Sequence, residues 1–273
     1  MITLSHLSIG YKHGRNKWKT VAADLNATLS PARLTCIVGS NGCGKSTLLR
    51  TIAALQPAMS GETRFYDDDE RGKSFQTIDT HTPKERLARL ISVVLTHRPA
   101  IRNITVGEIV ALGRQPYTGF WGILGRDDRE IVEQSMRLVG IRSLAERYVQ
   151  TLSDGERQKM MIAKAIAQQT PVIILDEPTA FLDYPSKVET LDILKRLCRE
   201  RGNTVLLSTH DIAIALQLAD TLWLMELNDN GSSLVTGTPA ELSASGILSR
   251  FTDRGGIRLD RRTLSLTLRD KYS

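Results

Sequence analysis

Cysteine is scarce in this 273-residue chain: Cys36, Cys43 and Cys198 are an odd number, far apart in sequence. No C-x-x-C pair or similar metal-ligand spacing occurs, which argues against a disulfide framework and against a zinc site. Such cysteine usage suits a reducing cytosol. Long apolar runs are missing too, since no stretch approaches the roughly 18 residues of a membrane span. The N-terminal MITLSHLSIGYKHG lacks the apolar core of a secretory signal. If the protein works at a membrane, it does so from one side and through a partner. Internal repeats and low-complexity tracts are also absent. Apolar residues are 41% of the chain, enough to bury a core, so general disorder is excluded. The length suits one large domain or two modest ones.

The charge balance is basic, with 36 Lys+Arg against 30 Asp+Glu and a formal net charge of +6. That excess suits nucleic acid, an anionic membrane surface or a phosphate-rich ligand. Its distribution narrows the choice. Between Gly246 and Ser273 stand Arg250, Arg254, Arg258, Arg261, Arg262, Arg269 and Lys271, against Asp253, Asp260 and Asp270. Most of the surplus is therefore terminal, and this basic segment reads equally as a flank facing anionic lipid or a membrane partner and as a solvated tail. A second basic stretch runs from Lys12 to Lys19.

Residues 2–10 and 21–29 alternate apolar and polar side chains, predicting two strands with Lys12–Lys19 as the loop between them. The run Arg33–Val38 leads into a glycine-rich loop, and a helical pattern follows from Lys45 to Leu55. Asp67–Glu70 reads as a hairpin tip and Ile91–Leu95 as a further strand. Residues from about 97 to 165 carry several helical segments broken by glycine and proline, a candidate helical insertion. Val172–Leu175 and Thr204–Leu207 read as strands buried on both faces, joined by a helix over Pro185–Glu200 in a βαβ unit. Thr263–Leu268 alternates again and predicts a closing strand.

Gly39-Ser40-Asn41-Gly42-Cys43-Gly44-Lys45-Ser46 fits G-x-x-x-x-G-K-[ST] without a gap, and Thr47 follows. The apolar strand before it and the helix after it are the context such a loop needs. Glycines let backbone N–H groups turn toward phosphate oxygens, and the helix N-terminus adds partial positive charge. Lys45 is expected to reach the β- and γ-phosphates and Ser46 to ligate Mg²⁺. Cys43, near the helix start, reads either as a thiol with raised thiolate character or as a small residue that fits. Strand Val172–Leu175 ends in Asp176 and Glu177. Asp176 is expected to hold Mg²⁺ through water, and Glu177 to polarise the water attacking the γ-phosphate. His210 ends the next buried strand, on the ligand side of an open α/β sheet, and beside Glu177 reads as a γ-phosphate contact.

Leu152-Ser-Asp-Gly-Glu-Arg-Gln158 precedes a predicted helix over Lys159–Gln168, with Ser153 and Glu156 as a capping box. In this combination, from about Ile2 to Leu242, the chain resembles the ATP-binding-cassette ATPases, whose signature is LSGGQ at a helix start. The resemblance implies an α/β fold: a P-loop NTPase core of mostly parallel sheet flanked by helices, an N-terminal antiparallel β-subdomain and an inserted α-helical subdomain. It places the ATPase domain at 1–242 and a basic extension with a short strand at 243–273. It also implies a head-to-tail homodimer in which Ser153, Gly155 and Glu156 of one subunit cap the γ-phosphate held by the other's phosphate loop. Tyr11 stands where the family stacks an aromatic ring on adenine, and Ala180–Asp183 where its D-loop contacts the partner. Two positions depart from the pattern. Thr96 stands where the family carries a glutamine that contacts Mg²⁺ or water, and Asp154 replaces the first glycine of the signature.

Gly107–Tyr117 is similar to a stretch in the ATPases of iron–siderophore, haem and cobalamin importers. The implied function is ATP hydrolysis energising such an importer from the cytoplasmic face of the membrane. The implied partners are integral-membrane permease subunits and, indirectly, a substrate-binding protein, with no nucleic acid. Arg114, Tyr117 and Trp121 are candidate contacts to the permease, with packing inside the helical subdomain the simpler expectation for Trp121. A cassette ATPase for another cargo, including an exporter, is the alternative. A soluble cassette acting on ribosomes or DNA fits less well, because the chain has neither two cassettes nor a long interruption.

Overall fold

The computed structural model describes residues 1–13, 17–69, 72–96, 102–119, 121–180, 182–229, 231–252, 257–260 and 263–268. Glu70, Phe181, Arg254, Arg261, Arg262, Arg269 and Lys271, with Asp253 and Asp270, lie outside the described residues. The chain divides into two compact units, residues 1–80 with 206–273, and residues 81–205. In chain order the first unit opens with β1 (Ile2–His13), β2 (Lys17–Leu29), β3 (Leu34–Gly39), α1 (Lys45–Ile52), β4 (Ser60–Asp69) and β5 (Gly72–Ile78). The second holds α2 (Lys84–Leu90), β6 (Ile91–Val94), α3 (Val106–Ala111), α4 (Arg126–Leu138), α5 (Asp154–Ala167), β7 (Val172–Leu175) and α6 (Tyr184–Arg201). Strand β8 (Thr204–Thr209) begins in the second unit and ends in the first. Then come α7 (Ile212–Leu218), β9 (Thr221–Asn228), β10 (Gly231–Gly237), α8 (Pro239–Ala244), α9 (Ile247–Thr252), β11 (Ile257–Asp260) and β12 (Ser265–Leu268).

In the first unit the strands lie in the order β5-β4-β1-β2-β10-β9-β3-β8. The N-terminal strands β1, β2, β4 and β5 pair antiparallel, whereas β3 runs parallel to β9 from Thr35↔Thr221 to Gly39↔Met225. The expected loop at Lys12–Lys19 is instead mostly ladder: Tyr11 pairs with Lys19, Lys12 with Trp18 and His13 with Lys17. Lysines on both faces hide the alternation there, while cross-strand pairing carries the hairpin outward. All six residues of β3 are buried, as a strand covered on both faces requires. Helix α1 packs on β1 and β3, and α7 on β3. Ile9, Leu34, Ile37, Leu48, Ile52 and Trp223 are fully buried in this unit. The C-terminal β11–β12 hairpin pairs Ile257 with Leu268 and packs on α9 and α7.

In the second unit β6 and β7 run parallel, Ile91↔Val172 to Val94↔Leu175, and α3, α4 and α5 pack on one another. Their buried faces carry Val106, Ile109, Val110, Val132, Met136, Met160, Ile162 and Ala163 at helical spacing. Arg114 binds this cluster together. It is 5% exposed, and its Nε donates to Asp128 Oδ1 at 2.9 Å while Nη1 donates to the Ala167 carbonyl and to Gln169 Oε1, each at 2.8 Å. The Tyr117 ring lies against the same guanidinium, 4.1 Å from ring centroid to Cζ. An arginine so enclosed is a structural clamp, which removes it from the candidate permease contacts. Trp121 does the reverse: it is 83% exposed and Ile123 74% exposed, so neither packs as a core residue.

Arg114→Ala removes the cation paired with Asp128 and the side-chain donor to the Ala167 carbonyl and is expected to destabilise the protein by about 3 kcal/mol, measured by urea unfolding. The Arg114 guanidinium, and then the Gly125 N–H, hold the Asp128 carboxyl below its ordinary value of 3.8. The unfolded chain then binds the proton more readily, so this stabilisation is present above that value and is lost as pH falls below it. The stability difference between the unaltered chain and Asp128→Asn is accordingly expected to shrink on acidification below pH 3.8 and to stay constant toward neutrality.

Candidate functional site

The phosphate loop owes its path to close contacts that only glycine allows. A Cβ on Gly39 would sit 2.5 Å from the Met225 carbonyl oxygen, and one on Gly44 would sit 2.3 Å from Val21 Cγ1. Gly44 also takes φ 101° as the N-cap of α1, a left-handed conformation that a Cβ disfavours. Helix α1 has no acidic residue in its first turn, so the positive end of its dipole is left uncompensated by its own side chains. Lys45, 5% exposed, turns back across the loop. Its ammonium donates to the carbonyls of Gly39 at 2.8 Å and Ser40 at 3.1 Å. Ser40, Asn41 and Gly42 are exposed, Ser46 half-buried and Thr47 buried. The Tyr11 hydroxyl is hydrogen-bonded to Thr47 Oγ1, which ties the β1–β2 hairpin to the first turn of α1. His210 is exposed directly after the fully buried β8. The next residue fixes the chain: Asp211 N–H donates to Thr209 Oγ1 at 3.1 Å, and its carboxylate accepts from Ile214 N–H, capping α7.

In the second unit, Asp176 follows β7 and is 3% exposed. Its N–H donates to the Val94 carbonyl at 2.8 Å, and its carbonyl accepts from the Thr96 hydroxyl at 2.9 Å. Glu177 has φ 49°, a left-handed conformation uncommon for a residue with a long side chain. Its carbonyl accepts from Ala180 N–H at 3.0 Å. Sequence alone carried no signal for the Thr96 contact, because 80 residues separate the partners.

Helix α5 begins at Asp154, so the signature residues form its first turn and the expected start at Lys159 is one turn late. The capping box is closed: Ser153 N–H donates to Glu156 Oε2 at 2.8 Å, and Glu156 N–H to Ser153 Oγ at 3.3 Å. The Ser153 N–H is the main cause holding the Glu156 carboxyl below the usual range, assisted by the Ser153 hydroxyl and by Arg147. Arg147 Nη1 lies 3.3 Å from Glu156 Oε1, a contact the sequence reading missed. Asp154 and Glu156 thus place two acids at the start of α5, whereas α1 has none. Asp183 caps α6 by accepting from Ser186 N–H at 3.1 Å, and Gly155 faces Ser186 and Leu182 across a gap that a Cβ would fill at 3.7 and 4.0 Å. One group of site residues therefore lies in each unit: Tyr11, Gly39–Thr47 and His210 in the first, and Thr96, Ser153–Glu156, Asp176 and Glu177 in the second.

The Ser46 hydroxyl and the Asp176 carboxylate are hard oxygen donors, the kind Mg²⁺ takes in ones and twos beside phosphate oxygens. Ser46 lies in the first unit and Asp176 in the second, and each suits Mg²⁺ by its own chemistry; among the described residues no group of three or more His, Cys, Asp or Glu could hold a metal by itself. Cys43 is fully buried; burial pushes its thiol pKa up, against the opposing pull of the Lys45 charge. That resolves the two sequence readings toward a small residue that fits. Cys36 and Cys198 are buried as well. Iodoacetamide at neutral pH is expected to leave all three thiols unmodified in the folded chain and to label all three after denaturation, as counted by mass spectrometry.

The ABC transporter family model matches residues 22–180. An uncharacterised ABC transporter ATP-binding protein of Methanocaldococcus jannaschii is 36% identical over 253 residues, 93% of this chain and 81% of its own length. The ferric enterobactin transport ATP-binding protein of Escherichia coli is 35% identical over 232 residues, 85% of this chain and 81% of its own length. Among solved structures, the dimeric structure of a bacterial ABC transporter cassette is similar with a TM-score of 0.71 at 26% identity, covering 88% of this chain and 99% of that one. By the family match and by these relatives, the protein belongs to the ABC transporter family as an ATP-binding, ATP-hydrolysing cassette.

Proposed function

We propose that this chain is the ATPase subunit of an importer for an iron chelate (ferric siderophore or haem) or cobalamin, working beneath a partner permease at the cytoplasmic face of the membrane. The observation that carries the import reading is the likeness, along most of the chain, to an ATPase named for ferric enterobactin transport. Residues 1–242 make up the ATPase domain. Among the described residues no helix is long and apolar enough to cross a membrane, so attachment runs through the permease. Trp121 and Ile123, exposed beside Tyr117 in the second unit, suit that contact.

ATP is held by stacking of adenine on Tyr11 and by the backbone N–H groups of Gly39–Thr47, with the Lys45 ammonium moving from the loop carbonyls to the β- and γ-phosphates. Ser46 and, through water, Asp176 would hold Mg²⁺, which supplies charge neutralisation between the phosphates. The Glu177 carboxylate orients the attacking water and accepts its proton, and the His210 imidazole contacts the γ-phosphate. The start of α5, through Ser153, Gly155 and Glu156, closes on the nucleotide of a second copy, making a homodimer that hydrolysis reopens. Catalysis is then positioning and electrostatics.

Glu177→Gln is expected to slow hydrolysis about 100-fold or more while ATP binding persists. Lys45→Ala is expected to weaken ATP binding roughly 10- to 100-fold through lost charge-assisted hydrogen bonds. Hydrolysis in the unaltered chain no faster than in Glu177→Gln would refute the catalytic assignment. For cargo, cells carrying Lys45→Ala should lose uptake of labelled ferric siderophore, haem or cobalamin; unchanged uptake of all three would refute the import reading.

A further inference from the structure

We propose that Thr96 is a positioning residue for Glu177, whose hydroxyl holds the peptide linking Asp176 to Glu177 so that the Glu177 carboxylate meets the attacking water. The inference rests on the hydrolytic role proposed for Glu177 and goes beyond it, because it assigns a task to a residue that departs from the family pattern.

The geometry is local to the second unit. Hydrogen bonds of two kinds hold the backbone around the strained residue. Asp176 N–H donates to the Val94 carbonyl at 2.8 Å, and Ala180 N–H donates to the Glu177 carbonyl at 3.0 Å. Both join backbone to backbone, so any sequence with this fold could form them. Another differs: the Asp176 carbonyl accepts from the Thr96 hydroxyl at 2.9 Å, and that bond needs a side-chain donor at residue 96. The carbonyl it holds belongs to the same rigid peptide plane as the Glu177 N–H. Its orientation therefore sets the Asp176 ψ and constrains the Glu177 φ of 49°.

A glutamic acid has no glycine-like freedom in that region, and such a conformation persists where the surroundings over-determine it. With Asp176 and Glu177 adjacent, a turn of the peptide between them would re-aim the carboxylate that acts on water while leaving the metal-side carboxylate anchored through its own N–H. Thr96 stands just beyond the end of β6, and its hydroxyl hydrogen is committed to the carbonyl. The sequence resemblance places a glutamine contacting Mg²⁺ or water at this position; the bond observed acts on the backbone of the catalytic pair.

The test compares Thr96→Val, isosteric but without a donor, with Thr96→Ser, which keeps the hydroxyl, both in the full chain. Thr96→Val is expected to lower kcat about fivefold, the worth of one ordinary hydrogen bond, with KM and the Mg²⁺ concentration for half-maximal hydrolysis unchanged. Thr96→Ser should restore the rate, and Thr96→Val should add nothing in a Glu177→Gln background. Hydrogen exchange followed by mass spectrometry gives a readout that needs no turnover: peptides spanning residues 175–180 should exchange faster in Thr96→Val and not in Thr96→Ser. Unchanged exchange, an unchanged kcat, a shifted Mg²⁺ midpoint or equal loss in both variants would each overturn the inference. Loss of the Glu177 reading itself would appear separately, as hydrolysis in the unaltered chain no faster than in Glu177→Gln.

Discussion

The phosphate loop can exist in this chain because backbone and side chains close on it to distances that exclude a Cβ. Met225 of β9 presses on Gly39, and Val21 of β2 presses on Gly44. The parallel pairing of β3 with β9 delivers the first contact, and the long β1–β2 hairpin delivers the second. Between them α1 starts in a fixed direction, with no acid in its first turn to compete for its dipole. The Tyr11–Thr47 hydrogen bond then fastens the hairpin to the same turn. Sheet order, glycine placement and the direction of α1 are in this sense one arrangement viewed at three scales.

The second unit handles its helix start differently. At α5 the N–H of the N-cap Ser153 is met by the Glu156 carboxylate, the Glu156 N–H is met by the Ser153 hydroxyl, and Asp154 adds a second negative charge. A phosphate approaching there meets a dipole already partly compensated. Arg147 stands on Glu156 and also donates to the Thr151 carbonyl at 2.7 Å, returning positive charge to the segment. The two helix starts thus differ in kind: α1 opens with no acid in its first turn, whereas α5 opens with two acids balanced by Arg147.

What the sequence made legible was contiguous. Gly39–Thr47, Asp176–Glu177 and the Ser153–Glu156 box each lie within one turn or loop, so residue type and spacing encode the local geometry directly. Buried strands such as β3 and β7 were readable for the same reason, as unbroken apolar runs. Contacts between distant positions were not. Nothing near residue 114 announces that its guanidinium will be enclosed by Asp128, Ala167 and Gln169, and Trp121 looked like a packing residue because aromatic rings usually bury. The hairpin beyond Tyr11 was missed because lysines mask strand periodicity where both faces are solvated. The left-handed Glu177 carries no sequence mark at all.

The placement of Cys43 bears on survival of the site under oxidative conditions. Peroxide attacks the thiolate, and susceptibility follows thiolate character and exposure. A thiol fully buried beneath Gly39, with its pKa raised by that burial, is shielded on both counts. The thiol occupies space that Gly39 leaves open, since a Cβ there would meet Sγ at 2.6 Å. The glycine-rich loop can therefore carry a cysteine in its midst without its shape becoming answerable to the redox state of its surroundings.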